Sequence, residues 1–185
     1  MITTKKELNY YISQDLSRYG KRKFFIFGWL MGDESFATQI FLRRLRKTEY
    51  YYNTYRKRNP FSLIRFYYSF FLYRRMWSSF KLHVPLNVVG PGLYIPHRGG
   101  GVYINAKSVG RNFVISSGCV LGNKGAKENI PVIGNNVECC IGAKIIGKIT
   151  IGDNCIIAPN SVVIKDIPDN WVVSGVPAHF LKENK

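Results

Sequence analysis

Acidic residues are scarce: 11 Asp and Glu stand against 27 Lys and Arg in 185 residues, a net charge of +16. Long apolar runs are missing too. A membrane-spanning helix needs about 20 apolar residues, and the stretches FFIFGWLMG (24–32) and FYYSFFLY fall well short. The N-terminal MITTKKELNYY lacks the apolar core and small-residue cleavage site of a secretory signal. A cytoplasmic protein is expected, with attachment to the inner face of a membrane left open. Only four cysteines occur, Cys119, Cys139, Cys140 and Cys155, and their spacing fits no zinc signature. They read as reduced, small core residues, and no metal is expected. Histidine is limited to His83, His97 and His179.

What charge there is lies unevenly. Residues 1–85 hold 17 Lys and Arg against 5 Asp and Glu, whereas 86–185 hold 10 against 6. This shift marks a boundary near 80–85. It divides the chain into an α-helical cap (1–82), a repeat domain (83–171) and a C-terminal tail (172–185). In the cap, TTKKELNYYISQDLSRYGK opens on a threonine cap and closes on Gly20. A second helix is expected from Asp33, with Phe36, Ile40, Phe41 and Leu45 on one face. Pro60 interrupts, and a third helix follows with a broad apolar face.

The second half beats in sixes. Ile133, Cys139, Ile145, Ile151, Ile157 and Val163 stand six apart, and Val137, Ala143, Ile149, Cys155, Ser161 and Ile167 follow each by four. Neither a helix, at 3.6, nor a strand, at 2, repeats at six. A short strand followed by a turn through a third of a circle does, and three hexads make one triangular coil. The first position points inward, the fifth fills the corner, and Gly, Asn or Asp takes the turn. Val89, Ile95, Val102, Val109, Ile115 and Leu121 extend the beat backwards, and GNKGAKENIP (122–131) interrupts it. About four coils are expected between Val89 and Pro168, all on one parallel β architecture.

Three stretches carry a resemblance: VPLNVVGPGLYIPHRGGGVYIN (84–105), IGNNVECCIGAKIIGKITIGDNCIIAPNSVV (133–163) and VSGVPAHFL (173–181). They resemble the hexapeptide-repeat acyltransferases, more narrowly the serine acetyltransferase-like branch that includes capsule and exopolysaccharide O-acetyltransferases. The resemblance implies a left-handed parallel β-helix, a homotrimer, and acetyl-coenzyme A as donor in a groove between subunits. It places the catalytic histidine at His97. A base near neutral pKa suits removal of a hydroxyl proton during attack on a thioester. It implies an oxyanion-stabilising amide at Gly122, with Asn123 beside it. It puts the donor's pantetheine arm along Ile141, Gly142 and Pro159, with Lys144, Lys148 or His179 near its phosphates.

The chain also departs from that branch. Where an aspartate orients the histidine, Leu82 stands, and Pro96 precedes His97 in place of another aspartate. Where the branch has an Arg and a His that grip serine's carboxylate, this chain has Asn129 and Ile130. A group to orient His97 is therefore sought elsewhere: Asp15 first, with Asp33, Glu34 and Asn87 as further candidates. These departures lead to an expected acceptor that is a sugar hydroxyl of a cell-surface polysaccharide or its lipid-linked precursor. Serine O-acetylation is the alternative, and a non-catalytic basic β-helix module the second. The basic, tyrosine-rich half reads as a cap whose aromatics pack on the coil, before an anionic membrane surface or acidic glycan. It carries no nucleic-acid-binding signature.

Overall fold

The computed structural model describes residues 1–20, 33–55, 59–97 and 99–184. The apolar stretch 24–32 lies outside them. Helix α1 (Lys5–Leu16) begins at a reciprocal cap: Thr4 Oγ1 accepts from Glu7 N–H, and the Glu7 carboxylate accepts from the amides of Thr3 and Thr4. Those amides hold the Glu7 carboxyl down to about 2. Helix α2 (Glu34–Thr54) starts on Asp33, whose carboxylate accepts from Ser35 N–H. Helix α3 (Pro60–Phe80) starts on Asn59 with proline at its first position, where no N–H is needed. Lys81, in the left-handed conformation at φ 56°, ends it. Among the described residues, no helix is long and apolar enough to cross a membrane.

From Leu82 onwards the chain makes short strands in three parallel sheets, visited in rotation. One sheet holds β1 (Leu82–His83), β2 (Val102–Ile104), β5 (Cys119–Gly122), β8 (Lys144–Ile146) and β11 (Val162–Val163). A second holds β3 (Ser108–Val109), β6 (Val132–Ile133) and β9 (Thr150–Ile151), extended by bridges at Val89 and Ile167. The third holds β4 (Val114–Ile115), β7 (Glu138–Cys139), β10 (Ile156–Ile157) and β12 (Trp171–Ser174). Tyr94 bridges to β4, and β13 (His179–Glu183) closes the third sheet antiparallel to β12. A regular coil closes after three hexads, as where Glu138 pairs with Ile156.

The coil thus begins one strand earlier than expected, at Leu82, and runs on through Ile167 to β12, which gives five coils rather than about four. Ile167 also differs from its expected corner place. It pairs with Ile151 before three full hexads have passed, and it is buried at 6% exposure. The last coil is therefore shorter than the others, and the Lys165–Asp166 turn takes up the difference. Of the expected beat residues, Ile95, Ile115, Leu121, Cys139, Ile145, Ile151 and Ile157 are fully buried in one core, whereas in β2 the residue in register with Leu121 is Ile104 and not the expected Val102.

One corner column shows why asparagine recurs. Asn112, Asn136, Asn154 and Asn170 all take positive φ between 54° and 62°. Their side-chain amides donate from coil to coil at 2.9 Å: Asn112 to Asn136, Asn136 to Asn154, and Asn154 to Asn170. Asparagine tolerates this conformation better than other non-glycine residues, and its amide supplies donor and acceptor to neighbours above and below. Just before each of these turns the coils touch. A Cβ on Gly134 would stand 2.7–2.8 Å from the Gly152 carbonyl carbon and oxygen, so only glycine fits.

The helices join the first coil through a buried charge cluster. Arg46, fully buried on α2, donates to Asp15 (Nε, 2.7 Å; Nη2, 3.3 Å), to Glu49 (2.9 Å) and to the carbonyls of Val89 (2.8 Å) and Gly90 (2.7 Å). Burial opposes its charge, but Glu49 and Asp15 outweigh that and raise its pKa.

Candidate active site

His97 stands on the corner between Ile95 and β2, and the segment leading to it is held from the cap. Asp15 Oδ1 accepts from the amides of Gly92 (2.8 Å) and Leu93 (2.9 Å). The Tyr19 hydroxyl donates to the Ile95 carbonyl (3.0 Å) and accepts from its amide (3.1 Å). The His97 side chain is 75% exposed, and its Nδ1 lies 4.0 Å from Glu34 Oε2, in the first turn of α2.

Two expected orienting groups are elsewhere. The Asp15 carboxylate is occupied by Arg46 and the Gly92 and Leu93 amides, so it sets the backbone before His97 and not the imidazole. Asn87 exchanges side-chain amide bonds with Asn53 at 2.9 Å each way, and its N–H donates to Glu49. It ties α2 to the first coil. The carboxylate next to His97 belongs to Glu34.

Of the expected donor-binding residues, Ile141, Gly142 and Pro159 lie in one corner column with Gly101 and Gly118, and Lys144 opens β8 just after it. Ile141 is 55% exposed, Pro159 is exposed, and Lys144 Nζ donates to the Gly142 carbonyl at 3.2 Å. Gly101, Gly118 and Gly142 take φ near 75°. Gly122 and Asn123 are not brought to this column. They lie at the far end of β5, about 13 Å of strand beyond Gly118. Gly122 is buried, and Asn123 braces the exposed excursion by donating to the carbonyls of Gly125 and Ala126. His179 is exposed on β13, against Ser174.

A cleft of about 480 Å³ opens between the end of α3 and the first sheet. The glycines after His97, Gly100 and Gly101, form part of its wall with Gly118, Tyr103 and His83, and Arg74, Trp77 and Lys81 close it from the helix side. His83 sits edge-on to Trp77 (3.8 Å) and stacks on Tyr103 (4.0 Å), and its Nδ1 faces the Ile104 carbonyl at 3.2 Å. Burial pushes its pKa below the ordinary value. No sequence pattern singled out Arg74, Trp77 or Tyr103, because only the packing of α3 on the coil gathers them.

The four cysteines are free, and burial raises each thiol. None is poised as a thiolate nucleophile. Among the described residues, no group of three His, Cys, Asp or Glu could hold a metal ion.

No protein-family model matches the chain. Serine acetyltransferase of Staphylococcus aureus (strain Mu50 / ATCC 700699) is 35% identical over 112 residues, 60% of this chain and 52% of that protein. The chain spans about half the length of the curated relatives it matches. Among solved structures, serine acetyltransferase from Brucella abortus strain S19 in complex with coenzyme A is 27% identical, with a TM-score of 0.63, over 96% of this chain and 67% of that one. Serine acetyltransferase of Neisseria gonorrhoeae shares the fold, with a TM-score of 0.67 at 23% identity, over 98% of this chain and 69% of that one. These likenesses support a hexapeptide-repeat acyltransferase. They overturn the expectation of a polysaccharide hydroxyl as acceptor, since each of these proteins is a serine acetyltransferase. That expectation rested on Asn129 and Ile130 replacing a carboxylate grip, and a missing group in one loop says nothing about groups supplied by another element.

Proposed function

We propose that this protein is an O-acetyltransferase that moves an acetyl group from acetyl-coenzyme A to the hydroxyl of serine. The observation that carries this reading is His97. It is an exposed imidazole with the Glu34 carboxylate 4.0 Å from Nδ1, set on a glycine-rich corner of a coil like those of serine acetyltransferases.

The chemistry follows from these groups. His97 takes the serine hydroxyl proton as the oxygen attacks the thioester carbonyl. The new C–O bond forms, the C–S bond breaks, and the imidazolium returns its proton to the leaving thiolate. Glu34, facing Nδ1, favours the tautomer that presents Nε2 as base and stabilises the imidazolium. The column of Gly118, Ile141, Gly142 and Pro159 offers the donor a smooth edge, with Lys144 as a cation for its phosphates. Gly122 lies too far along β5 to complete the same site within one chain. A left-handed β-helix assembled as a homotrimer, with the Gly122 and Asn123 excursion of one subunit meeting the His97 corner of another, accounts for both positions. The division into cap, coil and tail belongs to the same reading, with the cap carrying Glu34 to His97.

The test is coenzyme A release from acetyl-coenzyme A with and without L-serine. Serine-dependent release, reduced roughly 10²–10⁴-fold by His97→Ala, is expected. Release that does not depend on serine overturns the reading.

A further inference from the structure

We propose that the cleft between α3 and the first sheet is an anion subsite for the acceptor, in which Arg74, seconded by Lys81, grips the carboxylate of serine. This rests on the serine acetylation proposed above and names the cation that such an acceptor requires.

The cleft lies beside the base. Gly100 follows His97 within at most about 11 Å of extended chain, and Gly100 and Gly101 line the cleft. A volume of about 480 Å³ falls in the range of small-molecule sites, roughly 300–1,000 Å³.

Its charge has one sign. Arg74 and Lys81 line it, and no described Asp or Glu does. His83 adds no negative charge, and burial favours its neutral form. Arg74 makes no ion pair with a described residue, so its donors are available. Its guanidinium lies over the Trp77 ring, 4.5 Å from the centroid. A guanidinium over an aromatic face keeps its N–H donors in its own plane, where a carboxylate can meet it with two parallel bonds. Trp77 meets His83 edge-on and His83 stacks on Tyr103, so the platform is a continuous run of ring contacts.

The excursion at 123–130 carries no arginine. Asn129 donates its side-chain amide to the Lys124 carbonyl, which braces the turn. Ile130 has no charge. Lys124 and Lys127 on the excursion are exposed point charges, so the planar fork that meets a carboxylate with two bonds is the one on α3.

The experiment measures steady-state coenzyme A release by wild type, Arg74→Gln and Arg74→Lys, with L-serine and with L-serinamide, whose carboxylate is replaced by a neutral amide. Arg74 is exposed, and thermal melts of the variants are expected to match wild type. Removing a hydrogen bond to a charged group predicts a serine KM raised roughly 10–100-fold in Arg74→Gln, with a smaller rise in Arg74→Lys. Wild type is expected to prefer serine to serinamide by a similar factor, and Arg74→Gln to lose that preference. The KM for acetyl-coenzyme A stays unchanged. Lys6→Gln, exposed near the start of α1, is the control and leaves all constants unchanged. If Arg74→Gln keeps the serine preference, the subsite is wrong while serine acetylation stands. If the acetyl-coenzyme A KM rises instead, the cleft serves the donor's phosphates and the proposal is overturned. If wild type acetylates neither acceptor, the proposed function itself falls, and the subsite with it.

Discussion

Replacing Arg46 by methionine tests whether one buried cation locks the helices onto the first coil. A guanidinium has five N–H donors, and all five have acceptors here: two on Asp15, one on Glu49, and the carbonyls of Val89 and Gly90. Methionine keeps much of the volume and none of the donors. It leaves the carboxylates of Asp15 and Glu49, both at 1% exposure, without their cation. Removing one partner of a buried ion pair costs about 3–5 kcal/mol. Domains are stable by about 5–15 kcal/mol in all, so a large share of the total is at stake. At about 2–4 °C per kcal/mol for a chain of this length, the midpoint should fall by roughly 6–20 °C in a thermal melt. Arg46→Lys should also be destabilising, since three donors from a point cannot serve five acceptors in a planar fan. The triple variant Asp15→Asn, Arg46→Met, Glu49→Gln removes the stranded charges. It is expected to recover much of the loss, while Asn at 15 still accepts from the Gly92 and Leu93 amides. An Arg46→Met protein within about 1 kcal/mol of wild type in urea titration, well under the cost of breaking a buried pair, would refute the argument.

Other outcomes follow from the same contacts. Gly134→Ala drives a methyl against the Gly152 backbone and should cost about 1–3 kcal/mol, read as a lower urea midpoint with an unchanged slope. Burial lowers the His83 pKa in the folded chain, so between that value and the ordinary value near 6.5 the unfolded state binds more protons. Stability should therefore fall as pH drops through about 6.5, and His83→Asn should flatten that fall in melts from pH 7.5 to 5.5. Glu34→Gln should lower kcat by about tenfold or more while leaving the melting temperature unchanged, because it weakens support for the imidazolium without opening the core. Burial raises all four thiols, so Cys139, fully buried, should resist a thiol reagent at pH 7 until the coil unfolds.

The repeat domain was legible because the coil satisfies its core with one inward side chain per strand. Every sixth position had to be apolar, and many corners needed a residue at ease with positive φ. Ile133 through Val163 show the first demand, and Asn136, Asn154 and Asn170 the second. The pattern misled only where the chain broke step. The shortening before Ile167 cannot be seen without its partner Ile151. The helix starts at Thr4 and Asp33 were equally local, because a cap answers to amides in the first turn that follows it, whereas Pro60, expected as an interruption, opens α3 behind the Asn59 cap.

His97 was legible because a histidine among glycines on a coil corner is a local feature. What surrounds it was not. On paper Asp15 stood ahead of Asp33, Glu34 and Asn87, yet each was only a polar group somewhere before the histidine. The docking of α1 and α2 separates them: it buries Asp15 under Arg46, turns Asn87 towards Asn53, and brings Glu34 to the imidazole. Arg74, Trp77, His83 and Tyr103 likewise lie scattered along the chain with no shared spacing, and only the seating of α3 against β1 and β2 makes them one wall. The sequence by itself determined the coil, its corners and the place of His97 on one of them, because each depends on periods and on near neighbours in the chain. The tertiary structure alone decided which carboxylate faces the base and which cations line the cleft. Those contacts join elements far apart in sequence, and their pairing depends on how whole helices pack and on no local pattern.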